Sequence, residues 1–274
     1  MLSWKRQRGK SPIVNRLDCD NHLRYIPMSP ESTYMNLNDL LKNPPSPHVG
    51  NVMGLTEAAL TFIYEHINDE CSTLETGCGL STVVFALTGS RHTVIAPAPS
   101  EFEITKTYCR EHGIPTDQIN FIAEPSQKVL PALETPPLDL VLIDGGHGFP
   151  TPYVDWFYTA GKLKNGGFLI VDDVPLWSCQ ILRDFLVEQP HWEFIDEYDD
   201  RTAVFRKLED GSEWLEWTEQ PLPARGGRIK WVDGKLVSAT PLWDRAGAPL
   251  KRGVEDLKRG NFRVLAGKIK RRLT

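Results

Sequence analysis

"LETGCGLST", Leu74 to Thr82, is where the fold declares itself. A strand-like run reaches an acid, breaks at two glycines one residue apart, and resumes with small hydroxyl side chains and an apolar stretch. Residues 72–76 read as a strand and 80–88 as a helix, so the glycines occupy a tight strand-to-helix turn. In a doubly wound sheet such a turn lets backbone amides approach a nucleotide-like ligand, which the helix N-terminus then faces. Glu75, Gly77, Gly79 and Ser81 are therefore candidate cofactor-binding residues. The plainer alternative is a turn that needs glycine only for a positive φ.

On the N-terminal side, apolar residues recur at helical spacing from Leu55 to Ile67 behind Thr56, a residue type that caps helices. On the C-terminal side, strands expected at 92–96, 119–123, 138–144 and 167–173 alternate with helices at 100–112, 126–133, 151–163 and 177–188. Strands separated by helices imply a mostly parallel sheet covered on both faces. Two final strands, 192–198 and 202–208, are joined by only "DDR", too short for a crossover, and must pair antiparallel at an edge. The expected class is α/β: a doubly wound, mostly parallel seven-stranded sheet with a terminal antiparallel hairpin.

The expected organisation is an N-terminal arm at 1–49, this domain at 50–208, a β-hairpin appendage at 209–250 and a basic tail at 251–274. "NPPSPHVG" (43–50) breaks the arm from the domain, and Asp233-Gly234 suits a two-residue hairpin turn within 228–239. Four of the eight tryptophans, at 214, 217, 231 and 243, fall in the appendage, where packing on the main domain competes with a ligand platform.

The 274 residues are 41% hydrophobic and 24% charged, a globular balance. No apolar run is long enough to span a membrane and no secretory signal is present, so the expected location is cytoplasmic. Five scattered cysteines without a C-x-x-C pair are expected to be reduced thiols. Net charge is −5, but the last 24 residues carry about +7, leaving an acidic body that is a poor wrapper for nucleic acid. The tail, with Leu257, Phe262, Val264, Leu265 and Ile269 among its cations, is expected either to rest as a helix on an anionic surface or to remain solvated.

Together, "E-x-G-x-G-x-S-T" at 75–82, "LIDGGH" at 142–147, "LKNGGFLIVDD" at 163–173 and the terminal hairpin resemble the class I S-adenosylmethionine-dependent methyltransferases. More narrowly, they resemble the branch with bacterial sugar O-methyltransferases of the macrocin and mycinamicin kind. The resemblance covers about residues 50–208. It implies a cofactor turn at Glu75, Gly77 and Gly79, and an adenine-side loop at Glu124 and Ser126. The chain departs from the pattern twice. The ribose-binding acid after the second strand would fall on Ala96 to Ala98, leaving Ser100, Glu101 or backbone groups for that task, and the aspartate near the adenine falls on Pro125.

In the order this resemblance implies, the strands ending at Asp144 and at Asp172-Asp173 are neighbours, with ends roughly 5 Å apart. Their carboxylates can then converge on a divalent cation, magnesium being the first candidate. Turn-capping by these aspartates is the alternative. His147 follows Asp144 by three residues; the resemblance makes the pair a metal ligand and a base, with Asp144 and His147 as catalytic residues. An imidazole can take a hydroxyl proton near neutral pH, although a loop histidine without a role also fits. Phe149 and Tyr153 are candidates to stack on a sugar ring or other small-molecule or glycan acceptor. The sequence leaves oligomeric state open. Two competing functions are a nicotinamide-dependent oxidoreductase, disfavoured by Thr82 in place of a third glycine, and a non-catalytic binding protein that keeps the fold.

Overall fold

A computed structural model describes residues 15–17, 23–25, 35–44, 54–216, 218–226, 229–232 and 235–238. The chain divides into two compact units, Met1–Trp214 and Leu215–Thr274. In the first, a seven-stranded sheet comprises β1 (Ser72–Thr76), β2 (Arg91–Ile95), β3 (Ile119–Ile122), β4 (Leu138–Ile143), β5 (Leu163–Val171), β6 (Trp192–Tyr198) and β7 (Thr202–Lys207). Their order is β3-β2-β1-β4-β5-β7-β6. The first five are parallel, while β7 runs antiparallel to both β5 and β6. This is a doubly wound, mostly parallel seven-stranded sheet ending in an antiparallel pair, and it matches the expected class.

Every residue of β1 and β4 is buried, as required of central strands covered on both faces. Helices α1 (Leu37–Lys42), α2 (Glu57–His66), α3 (Leu80–Thr88), α4 (Pro99–Glu111), α5 (Ser126–Val129), α6 (Thr151–Ala160) and α7 (Trp177–Glu188) complete the unit. Thr56 caps α2 by accepting from the Ala59 amide at 3.3 Å. Helix α3 is almost wholly buried, and its Val83, Val84 and Phe85 belong to the core with Leu60 and Ile63 of α2.

Several expectations change. Within the N-terminal arm, α1 sends Leu37 and Leu40 into the same core. Helix α5 lasts one turn and passes into a 3₁₀ turn at Leu130–Ala132, where Pro131 cannot donate the next helical bond. Strand β5 starts earlier than expected and ends at Val171, which leaves Asp172 and Asp173 just beyond it. Cys71 is disulfide-bonded while Cys78, Cys109 and Cys179 are free, since sequence scatter does not set distance in space. Tyr198 and Thr202 close a hairpin whose Asp199 and Asp200 both have positive φ, the conformation of a type I′ turn.

In the second unit Ile229–Val232 pairs antiparallel with Lys235–Ser238. The tail at 251–274 lies outside the described residues. Among those described, no helix is long and apolar enough to cross a membrane.

Candidate active site

Register places the site. Thr76 pairs with Ile143, and Ile143 with Val171, so the chains leaving β1, β4 and β5 emerge side by side. After Thr76 the Gly77 amide donates to the Ile95 carbonyl at 2.9 Å, which ties the turn to β2. Gly77 has φ +96°, and a Cβ there would lie 2.1 Å from the Asp144 carbonyl oxygen. Glycine is obligatory at this position for the protein's own packing. Gly79 differs: its φ of −169° suits any residue, and a Cβ would meet nothing within 4 Å. The free space beside Gly79 opens at the N-terminus of α3, where a ligand can approach the backbone.

These two glycines therefore make opposite predictions. Gly77→Ala should destabilise the fold by about 1–3 kcal/mol or more, read as a lowered melting temperature. Gly79→Val should melt like the parent and yet bind S-adenosylhomocysteine at least about tenfold more weakly. A Gly79→Val protein with parental affinity would place the ligand elsewhere.

Glu75 lies beneath the turn, 1% exposed, with its carboxylate accepting from Ser81 Oγ at 2.6 Å and from Thr82 Oγ1. His92 Nε2 is a third partner at 3.1 Å. Burial, followed by the nearby Glu75 charge, pushes the Cys78 thiol up to about 12, so the turn presents a neutral thiol. Of the two residues expected to form an adenine-side loop, Glu124 is exposed and pairs with Lys128 at 3.6 Å. Ser126 is instead buried beside Asp155 of α6, whose carboxyl burial holds above its usual range while the Ser126 and Thr76 hydroxyls oppose the rise.

Asp144, His147 and Asp173 come together, each with a ligand atom within 4.8 Å of the others. His147 Nε2 is 3.0 Å from Asp173 Oδ2, and its Nδ1 is 3.7 Å from Cys179 Sγ. The His147 carbonyl accepts from Ser178 Oγ, so both ends of the residue are fixed. Burial raises the Asp144 carboxyl well above its ordinary range, and the charges of Asp172, Glu75 and Asp173 raise it further. Asp173 sits in the left-handed region at φ 55°, which aspartate tolerates better than most residues.

Asp172, expected as a ligand with the other two, turns away from this group. It is fully buried, accepts from Thr202 Oγ1, and lies 3.5 Å from Arg201 Nη2. The reason is register: Val171 opposes Ala203, which brings Asp172 against Thr202 across the β5–β7 pair. Arg201 also reaches Asp173 Oδ1 at 2.9 Å. Two carboxylates and an imidazole at mutual distances below 4.8 Å fit a divalent cation of the magnesium or manganese class.

An apolar rim borders the cluster. Phe149 and Trp177 are each 65% exposed, with ring centroids 5.9 Å apart, and Leu176 is exposed beside them. Tyr153 is half-buried, its ring 6.4 Å from Phe149 and 6.1 Å from Phe185. Sequence reasoning missed Trp177, Arg201, Thr202, Cys179 and His92. The short "DDR" link, which must return the chain beside β5, was the one available signal for Arg201 and Thr202.

Residues 74–174 match the family model described as a methyltransferase domain. Among curated proteins none matches the chain. Similar solved structures include the cofactor-bound Rv0187 from MTB, at 17% identity, covering 58% of this chain and 84% of that one, TM-score 0.48. The S-adenosylhomocysteine-bound methyltransferase PaMTH1 of Podospora anserina is 17% identical over 56% of this chain and 77% of its own, TM-score 0.45. The O-methyltransferase TomG of Streptomyces achromogenes, involved in tomaymycin synthesis and solved with S-adenosylmethionine, is 14% identical, with coverages of 57% and 82% and TM-score 0.47.

Proposed function

We propose that this chain, an S-adenosylmethionine-dependent methyltransferase, acts on a hydroxyl oxygen of a sugar or similar polyol with the help of a divalent cation. The observation that carries this is a contact. Gly77 packs directly on the Asp144 backbone, so the glycine turn and the Asp144, His147, Asp173 cluster lie side by side. Methyl donor and acceptor-activating groups are thereby adjacent, as in-line transfer requires.

The cofactor supplies an electrophilic methyl group on a positively charged sulfur, and a cation at Asp144 and Asp173 would supply Lewis acidity toward the acceptor oxygen. The chain's own residues do the rest. Cys179, its thiol pushed up by burial to about 11, stays neutral against Nδ1 of His147. Asp173 stands 3.0 Å from Nε2 and stabilises the imidazolium that forms when His147 takes the hydroxyl proton. Phe149 and Trp177 offer flat apolar faces beside carboxylates. Such a site suits an acceptor with one apolar face and hydroxyl edges, as a sugar ring presents.

Ribose recognition needs a replacement for the missing acid, since Ala96 after β2 is buried and has nothing to offer. The Cys78 Sγ to Thr105 Oγ1 approach of 3.5 Å turns one face of α4 toward the glycine turn. Glu101 stands one helical turn before Thr105 on that face, exposed and in the first turn of α4. Glu101→Gln is expected to weaken S-adenosylhomocysteine binding by about tenfold, the value of a charged hydrogen bond. Unchanged affinity in calorimetry would assign the ribose to backbone groups.

Methyl transfer from labelled S-adenosylmethionine to a panel of polyols, alongside calorimetry with S-adenosylhomocysteine, tests the whole proposal. A chain that does not bind S-adenosylhomocysteine overturns it. A second version, metal-independent transfer, is favoured by one observation: Arg201 already places a fixed cation against Asp172 and Asp173.

A further inference from the structure

We propose that His92 is a positioning residue for the cofactor turn, and that Glu75 anchors this turn from below instead of touching the cofactor. The proposal rests on the turn being the S-adenosylmethionine site.

A carboxylate offers about four lone-pair positions. Three around Glu75 are taken by Ser81 Oγ at 2.6 Å, Thr82 Oγ1 and His92 Nε2 at 3.1 Å, and the side chain is 1% exposed. With 1% of it exposed, the side chain has almost no surface for a ligand to touch. The Thr82 oxygen that meets Glu75 also accepts from the Gly79 amide at 3.2 Å. A continuous chain of hydrogen bonds thus runs from His92 through Glu75 and Thr82 to the backbone that borders the ligand space.

His92 is itself held on both sides. Its Nδ1 is 2.8 Å from Thr73 Oγ1, which lies 3.2 Å from Ser90 Oγ, and its ring stacks on Phe85 with centroids 4.1 Å apart. The Glu75 carboxylate can only accept, so Nε2 carries a proton toward it, and Nδ1 shares a hydrogen bond with the Thr73 hydroxyl. The imidazole is therefore held so that Nε2 aims a donor at Glu75.

The test is a double-mutant cycle read by S-adenosylhomocysteine calorimetry on variants whose melting curves show them folded. His92→Ala and Glu75→Gln should each weaken binding by about tenfold, and the double variant should be no weaker than either single, because both break one chain of bonds. His92→Gln, which keeps an N–H donor, should recover most of the affinity. Nitrogen NMR of the parent should show His92 protonated at Nε2, a signal lost in Glu75→Ala whether or not ligand is bound. The proposal is overturned if Glu75→Gln loses about 100-fold or more while His92→Ala binds as the parent does. It is equally overturned if His92→Ala lowers the melting temperature but leaves affinity intact, or if NMR finds no proton on Nε2. A parent chain that binds no S-adenosylhomocysteine, with Nε2 protonated as stated, faults the cofactor assignment and not the network.

Discussion

His147→Ala is expected to lower methyl-transfer turnover by a factor on the order of 10² to 10⁴, the range for removing a general base. S-adenosylhomocysteine affinity should stay within about twofold, since His147 stands on the loop after β4 and not in the glycine turn. Removing the imidazole also frees Asp173 Oδ2, now 3.0 Å from Nε2, but leaves Asp173 Oδ1 on Arg201 at 2.9 Å. The loop should therefore hold its shape. As pH rises, the deficit should shrink, because the acceptor hydroxyl ionises increasingly without help. Parental turnover at neutral pH in the variant would reduce His147 to a packing residue against Cys179 and Ser178.

Asp144→Asn should be comparably damaging and should do something further. Its carboxyl is raised by burial first and then by Asp172, Glu75 and Asp173, so its ionised form is disfavoured in the fold. The sign follows: a carboxyl with a raised folded pKa contributes stability at low pH that is lost as pH climbs through that pKa. In chelator at pH 8 the Asp144→Asn protein should therefore melt a few degrees above the parent, roughly what relief of about 1 kcal/mol gives. At low pH the difference should vanish. Chelation of the parent should likewise stop transfer, with magnesium or manganese restoring it and cofactor binding largely kept. Full turnover in excess chelator would remove the metal from the reaction and leave Arg201 as the site's cation. A lower melting temperature for Asp144→Asn would mean that its oxygen makes a bond the amide cannot replace.

Much of this site was legible in the chain itself. The turn at Gly77 and Gly79 falls where "LETGCGLST" placed it, and Asp144 and His147 sit together at the end of β4 as "LIDGGH" required. Asp172 shows the limit. From sequence, two consecutive aspartates after one strand are interchangeable ligands. In the fold, Asp172 continues across from β7 and meets Thr202, while Asp173 turns into the left-handed region just beyond β5 and meets His147. Only one of the two can join the cluster.

Element order, the sheet class and the positions of the acids were determined by the sequence alone, because period-2 and period-3.6 patterns, glycine turns and a link of three residues are local physics. What tertiary structure decided are the partners across long separations. Glu75 with His92 is 17 residues apart, Asp172 with Thr202 is 30, and His147 with Cys179 is 32. Which side chain completes each buried charge depends on strand order and register, and these are fixed by how β1, β4, β5 and β7 bury their faces together. No single stretch encodes that, since a buried carboxylate takes its partners from whichever strands come to lie beside it.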